Sequence, residues 1–376
     1  MTRKNTYFAG LISFLLSAFA VNAQRAYSQT SYSTSDYVGF HVETIKANGF
    51  THVAYNVSKT PNGRHNRSIN EAFGPNNEIG LVAHPYWRDA DIVWVKYGDE
   101  WIQFYYNDQD LINDPEGLSV GWKGVGWGDT DLGDYYIPET SGFWIESKRS
   151  EDYVIAFGGY VRRLPMVYRV TRGFNSLNRG YPIPITLDQS LIHKSSGFKT
   201  GINGDIVWLQ REDTGKYDQY YYSNKKEFPF LPDGWRKIGS EMDDAGSDYI
   251  PSAFAIQVKH RGGRVTLHPP VDFVGKKTLT RVGIQPPPEP PYITPFIEVW
   301  PNDLQPYFYA YWYTNQKVKY ITEVYEPWSG WFIINERVPP HPKPDTFDFA
   351  RILPLRWGVA RIISEWSNPI APPNEK

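Results

Sequence analysis

Residues Asp91–Asn107 read DIVWVKYGDEWIQFYYN, and the chain returns to them at Asp205–Ser223 as DIVWLQREDTGKYDQYYYS. Each stretch opens on the same four residues and closes on a polar residue after an aromatic cluster. Strand-favouring residues flank a polar turn in both, which predicts a pair of strands in each. Further landmarks recur in the same order. Asp91 to Asp205 is an offset of 114, Gly121-Trp122-Lys123 to Gly234-Trp235-Arg236 is 113, and Tyr136-Ile137-Pro138 to Tyr249-Ile250-Pro251 is again 113. Upstream, Gly49-Phe50 matches Gly173-Phe174 at 124, so the first copy carries about ten extra residues between those points. Ordered landmarks at a near-constant spacing mark two copies of one module, and the period is a whole small domain rather than a solenoid unit.

The copies are expected over residues 37–163 and 164–275, each with its own core. Strands are expected in the first at Tyr37–Thr44, Thr51–Val57, Ile92–Lys96, Trp101–Tyr106, Phe143–Ser147 and Val154–Val161. Ser68-Ile-Asn-Glu and Thr186-Leu-Asp-Gln fall at matching places, and both carry a capping hydroxyl followed three residues later by Glu or Gln. One short helix per copy follows from that signature. Gln285–Pro291 lies in a proline-rich linker over 276–291, which favours extended polyproline II. Residues 292–376 do not copy the module. Strand patterns at Tyr307–Tyr313, Tyr320–Tyr325, Trp331–Arg337, Thr346–Ala350 and Gly358–Ile363 predict a small β-sandwich there.

Aromatics make up 16% of the chain, with 27 Tyr and 14 Trp beside 30 Pro and 31 Gly, a balance of strand formers and turn residues that predicts an all-β fold. Arg3 and Lys4, an apolar run from Phe8 to Ala20, and the small residues before Gln24 have the layout of a secretory signal peptide over 1–23. Its removal takes the formal charge from −2 to −4, and no basic block remains to serve a nucleic acid. No later run is long and apolar enough for a membrane span. With no cysteine in the chain, disulfides, thiolate catalysis and cysteine metal sites are excluded, so burial must supply the stability.

The order VGFHVETIKANGFTHVAYNV, DIVWVKYGDEW, GW, SGFWIESK in the first copy, with RGFNSLNRGYPIPI, GDIVWLQREDTGKYDQYYY, GW and FAIQVKHRGG in the second, resembles a repeated module of secreted and surface proteins of verrucomicrobia-like bacteria. The resemblance covers about residues 37–273, and the second copy departs from it where Ala253-Phe254 stands for Ser141-Gly142-Phe143. The C-terminal stretches KYITEVYEPWSGWFIINE and TFDFARILPLRWGVARII look like the fibronectin type III-like domain that often ends such proteins. The resemblance implies location and architecture, and it brings no catalytic activity.

Candidate chemistry is sparse. Trp94, Trp208, Trp122 and Trp235 are shared by both copies and are expected to serve the core or its turns. Trp127 and Trp144 are matched by Ser240 and Ala255, so the fold does not require an aromatic there. Trp144 neighbours Phe143 on a strand and must face the other way, which makes Trp127 and Trp144 the candidate sugar-stacking residues. The turn holding Asp129, Asp131 and Asp134 is a candidate calcium site, although no glutamate falls where the twelve-residue calcium loop needs one; Asp and Gly are also ordinary turn residues. No H-E-x-x-H, G-x-S-x-G or P-loop pattern occurs. The expected protein is an exported, non-enzymatic structural or adhesion component without a cofactor, its partners itself or envelope components. Polysaccharide binding by exposed aromatics is the alternative reading, and a polysaccharide-active enzyme the third.

Overall fold

The computed structural model describes residues 30–34, 37–60, 66–109, 117–162, 164–225 and 229–269, and the strands at 293–298, 307–313, 319–326, 330–337, 347–352 and 357–367. The expected leader and the proline-rich linker lie outside the described residues. The fold is all-β, with antiparallel sheets and two short α-helices among the described residues.

In chain order, β1 (Thr30–Thr34) and β2 (Val38–Ile45) lead into β3 (Phe50–Ala54), β4 (Arg67–Ser68), helix α1 (Ile69–Phe73), β5 (Ile92–Tyr97), β6 (Glu100–Asn107), β7 (Gly121–Gly124), β8 (Tyr136–Ile137), β9 (Gly142–Glu146) and β10 (Tyr153–Tyr160). The second half repeats the pattern as β11 (Met166–Asn178), β12 (Ile185–Thr186), α2 (Leu187–Ser190), β13 (Ile206–Gln210), β14 (Tyr217–Ser223), β15 (Gly234–Lys237), β16 (Tyr249–Ile250) and β17 (Ala253–Leu267). The first half builds a five-stranded sheet in the order β3-β9-β5-β6-β7 and a ribbon β4-β8. The second builds β11-β17-β13-β14-β15 and β12-β16, the same order strand for strand. The two quoted stretches are the hairpins β5-β6 and β13-β14.

Both helices start as the hydroxyl-to-Glu/Gln spacing requires. Ser68 accepts from the Glu71 amide while Glu71 returns to the Ser68 amide, and Thr186 and Gln189 do the same. One face of each sheet meets its helix over a core. In the first module Val53, Val93, Val95, Phe104, Phe143 and Ile145 are buried with Phe73 and Trp122; in the second Leu177, Val207, Phe254 and Ile256 are buried with Leu187 and Trp235. Gly121 and Gly234, which precede these tryptophans, sit at φ of +132° and +154°, a region that disfavours a side chain and explains the glycine of both GW pairs.

The halves differ at their outer hairpin. β11 and β17 run on as one long pair through a bulge at Thr171/Gly173. The first module breaks the same pair into β2 with β3 and β9 with β10, and β2-β10 joins a different sheet. The C-terminal strands are β18 (Ile293–Glu298), β19 (Tyr307–Tyr313), β20 (Lys319–Glu326), β21 (Gly330–Arg337), β22 (Phe347–Ile352) and β23 (Trp357–Ser367). β18, β19 and β22 form one three-stranded sheet, and β20, β21 and β23 continue the β2-β10 pair in the order β10-β2-β23-β20-β21, with β1 also on β23. Register pairs Val38 with Ala360 and His41 with Trp357. Three of the C-terminal strands, β20, β21 and β23, therefore share a sheet with β2 and β10 of the first module, while β19 and β22 pair in a sheet of their own.

Candidate functional site

The shared residues of the repeat resolve first. Asp91 and Asp205, which open the two DIVW runs, are buried carboxylates that pin loops. Asp91 accepts from the Val82 amide at 2.9 Å, the Lys148 amide at 2.7 Å and the Tyr153 hydroxyl at 2.7 Å. Asp205 accepts from the Lys199 amide at 2.7 Å and the Lys259 amide at 2.9 Å. Trp122 and Trp235 are core residues, as expected, but Trp94 and Trp208 are not. Strand alternation turns them away from Val93 and Val207, onto the outer face of each sheet, where they are half-buried.

Those outer faces pack on each other, and strand register identifies the equivalent residues. Phe50 corresponds to Phe174, His52 to Ser176, Lys96 to Gln210, Trp101 to Tyr217, Gly142 to Ala253 and Trp144 to Ala255. Contacts across the seam then come in reciprocal pairs. Lys96 Nζ donates to the Phe174 carbonyl at 3.0 Å, and Gln210 Nε2 donates to the Phe50 carbonyl at 3.0 Å. His52 Nε2 meets its own counterpart, Ser176 Oγ, at 2.8 Å. Within each module the same ring contact also repeats, Phe50 edge-on to Trp94 at 6.1 Å and Phe174 to Trp208 at 6.2 Å. Self-meeting equivalents and doubled contacts are the marks of an isologous interface, so the modules sit as a pseudo-two-fold dimer within one chain.

Trp144 belongs to this seam and not to a free surface. Its ring stacks on His52 at 3.9 Å with an interplanar angle of 2°, its indole N–H donates to the Tyr217 hydroxyl at 2.9 Å, and Trp101 meets it edge-on at 4.9 Å. His52 is buried, and burial pushes its imidazole pKa down to about 3, so the ring is neutral.

The acidic turn is wired inward. Asp129 Oδ1 takes the Ser119 amide at 2.6 Å, the Ser119 hydroxyl at 2.7 Å and the ammonium of fully buried Lys123 at 2.7 Å, contacts that hold its pKa far below the usual carboxylate range. Asp131 accepts from the Gly133 amide at 2.9 Å, and Asp134 is exposed. Among the described residues no group of three or more His, Asp or Glu side chains gathers to hold a metal ion.

Trp127 stands apart from the seam, 46% exposed, beside a cluster the sequence did not single out. Its ring packs over the backbone of Gly124 and meets Tyr135 edge-on at 6.2 Å. Tyr135 lies parallel to Tyr136 at 6.0 Å, and Tyr97 stands perpendicular to both at 5.0 and 5.7 Å. Phe104 ties Tyr135 to the core at 5.6 Å, and the Tyr97 hydroxyl donates to the Tyr136 carbonyl. Tyr136 is 48% exposed. The result is a fixed aromatic surface of Trp127 and Tyr136 over Tyr97 and Tyr135, with the exposed Asp131 and Asp134 on the same connection between β7 and β8. In the second module Arg211, Ser240 and Asp248 replace Tyr97, Trp127 and Tyr135. A comparison of the two copies position by position, rather than of tryptophans alone, carries that signal in the sequence.

No protein-family model matches the chain, and neither a curated protein nor a solved structure is similar to it. Among the described residues no helix is long and apolar enough to cross a membrane.

Proposed function

We propose that the protein is an exported, non-enzymatic adhesion component that holds to polysaccharide through the aromatic surface of its first module. The observation that carries this reading is the pair of exposed rings Trp127 and Tyr136, held in fixed orientation by Tyr97, Tyr135 and Gly124 and absent as a group from the twin module. An aromatic face with exposed carboxylates on the same loop offers a sugar both an apolar platform and acceptors for its hydroxyls. The signal-peptide layout and the resemblance to secreted and surface modules support an extracellular setting. The locked pseudo-dimer supports a binding frame more than a catalyst, since its shared polar residues, Asp91 and Asp205, are spent on loop amides.

Pull-down on insoluble cellulose and chitin tests the reading. Trp127→Ala and Tyr136→Ala are expected to lose most of the retention, on the scale of about 2 kcal/mol or roughly 30-fold for a central aromatic contact, while keeping a cooperative thermal transition. Retention equal to that of the unaltered protein in both variants refutes the aromatic surface as the contact.

A further inference from the structure

We infer that the second module carries a separate cleft for a non-anionic oligosaccharide, at the position equivalent to the first module's aromatic surface. It rests on different residues from that surface, so either can fail alone.

The equivalence is fixed by the repeat. Tyr97, Tyr135 and Tyr136 correspond to Arg211, Asp248 and Tyr249, because Ser68↔Tyr136 and Thr186↔Tyr249 pair alike in the two ribbons. In the first module the Tyr97 and Tyr135 rings fill the space above Phe104. Their replacements do not. Arg211 folds back on Asp213, with Nε–Oδ1 at 3.0 Å and Nη2–Oδ2 at 2.6 Å, and Asp248 accepts the hydroxyl of Tyr220, the residue matching Phe104. A cleft of about 830 Å³ opens where the rings would lie, with Leu209 and Ile250 among its apolar walls and β2 of the first module as the opposite wall. A neighbouring hollow of about 340 Å³ shares Glu43, Gln210, Arg211 and Glu212 with it. The space has the scale of a small-molecule site, and its lining mixes apolar floor with convergent polar groups.

Two buried polar atoms of cleft-lining residues have no hydrogen-bond partner, His41 Nδ1 and Ser252 Oγ. Both residues are almost wholly buried, at 1% and 3% exposed. His41 Nε2 is 2.9 Å from the Ala54 carbonyl and must donate to it, and burial, then the Arg179 charge, push the ring pKa down to about 3. The ring is neutral, so Nδ1 presents a lone pair. An acceptor and a hydroxyl closed off from solvent without partners are a cost to the fold, which a ligand's hydroxyls would relieve by reaching them through a small side-chain shift. Charge selects the ligand further. Glu43, Glu212, Asp218 and Asp248 line the cleft; Lys237 pairs with Asp218 at 2.7 Å, Arg211 is held by Asp213 outside the lining, and Arg179 gives its donors to the carbonyls of Tyr181, Ile250 and Pro182, so the lining is acidic on balance. Neutral sugar hydroxyls are matched by such a wall, while uronates and sulfates are repelled.

Calorimetric titration of the mature chain carrying Trp127→Ala, which removes the first-module surface, is the test. The probes are cellohexaose, chitohexaose and hexagalacturonate. At least one neutral hexasaccharide is expected to bind, and hexagalacturonate to bind at least tenfold more weakly. Adding Arg211→Tyr with Asp248→Tyr, which restores the rings of the first module, is expected to weaken binding tenfold or more. Ser252→Ala is expected to weaken binding about fivefold and to leave the melting temperature equal or higher, which decides the matter if the double substitution does not fold. Absence of neutral-sugar binding, binding untouched by these changes, or preference for hexagalacturonate overturns the inference. Loss of retention on insoluble polysaccharide in Trp127→Ala, with hexasaccharide binding intact, separates the two sites.

Discussion

Trp144→Ala discriminates between a ligand-facing and a seam-facing tryptophan. Removing a fully buried tryptophan costs about 3–5 kcal/mol. Trp144 is half-buried, so about half of that, ~2 kcal/mol, applies to its stack on His52 and its edge contact with Trp101. Loss of the indole bond to the Tyr217 hydroxyl adds about 1 kcal/mol. A total of roughly 2–3 kcal/mol lowers the melting temperature of a unit of this size by about 5–10 °C. Scanning calorimetry measures it, with Tyr217→Phe and the double variant completing a cycle whose coupling should be near 1 kcal/mol. A melting temperature within about 1 °C of the starting protein, or strict additivity in the cycle, refutes the seam assignment.

Acid should loosen the same region. His41 and His52 titrate at about 3 in the fold against 6.5 in the unfolded chain, so between those values the unfolded state binds more protons. Their stabilisation is complete above pH 6.5 and falls as pH drops, by up to about 1.4 kcal/mol per unit for each ring; urea melts from pH 6.5 to 5.5 should show a shallower loss in His52→Gln, and equal slopes would contradict it. Asp129→Asn leaves the buried Lys123 ammonium facing a neutral amide and should lower the melting temperature, whereas calcium added to the unaltered protein should not raise it; a calcium-induced rise would reopen the turn as a metal site. Gly142→Ala places a methyl 2.7 Å from His52 Nε2 and 2.9 Å from both Ala253 Cβ and Ser176 Oγ, and should cost about 1–3 kcal/mol. Adding Ala253→Gly relieves one of those clashes, so chemical denaturation of the pair should show a favourable coupling of at least about 0.5 kcal/mol, and simple additivity would place the two residues apart.

Local rules made much of the fold legible. The hairpins at β5-β6 and β13-β14 followed from aromatic runs broken by polar turns, and the two helices followed from Ser68-to-Glu71 and Thr186-to-Gln189 spacing, because each of these is decided by residues within one turn or hairpin. What chain-local patterns do not encode is which outward face meets which. Trp94 and Trp208 looked like core because they are shared, yet alternation alone puts them opposite Val93 and Val207, where they meet Phe50 and Phe174 of their own sheets on the face turned to the other module. The join of β23 to β2 is hidden for the same reason. Pairing between strands over 300 residues apart is set by which edges remain open once the local sheets have formed.

The pseudo-two-fold axis also explains where the modules are alike and where they part. A residue on the axis meets its own counterpart, as His52 meets Ser176, and a seam position such as Phe50 has a twin, Phe174, whose carbonyl takes the matching bond from the opposite module. Change at such a position is constrained from both sides at once. Positions that make no reciprocal contact carry no such demand. Tyr97 and Arg211, Tyr135 and Asp248, and Trp127 and Ser240 each face their own surroundings, so rings persist on one module while a guanidinium and a carboxylate open a cleft on the other. Duplication thus yields one rigid frame with two unlike ends, and a ligand that spans both would gain from a fixed separation with no linker entropy lost on binding.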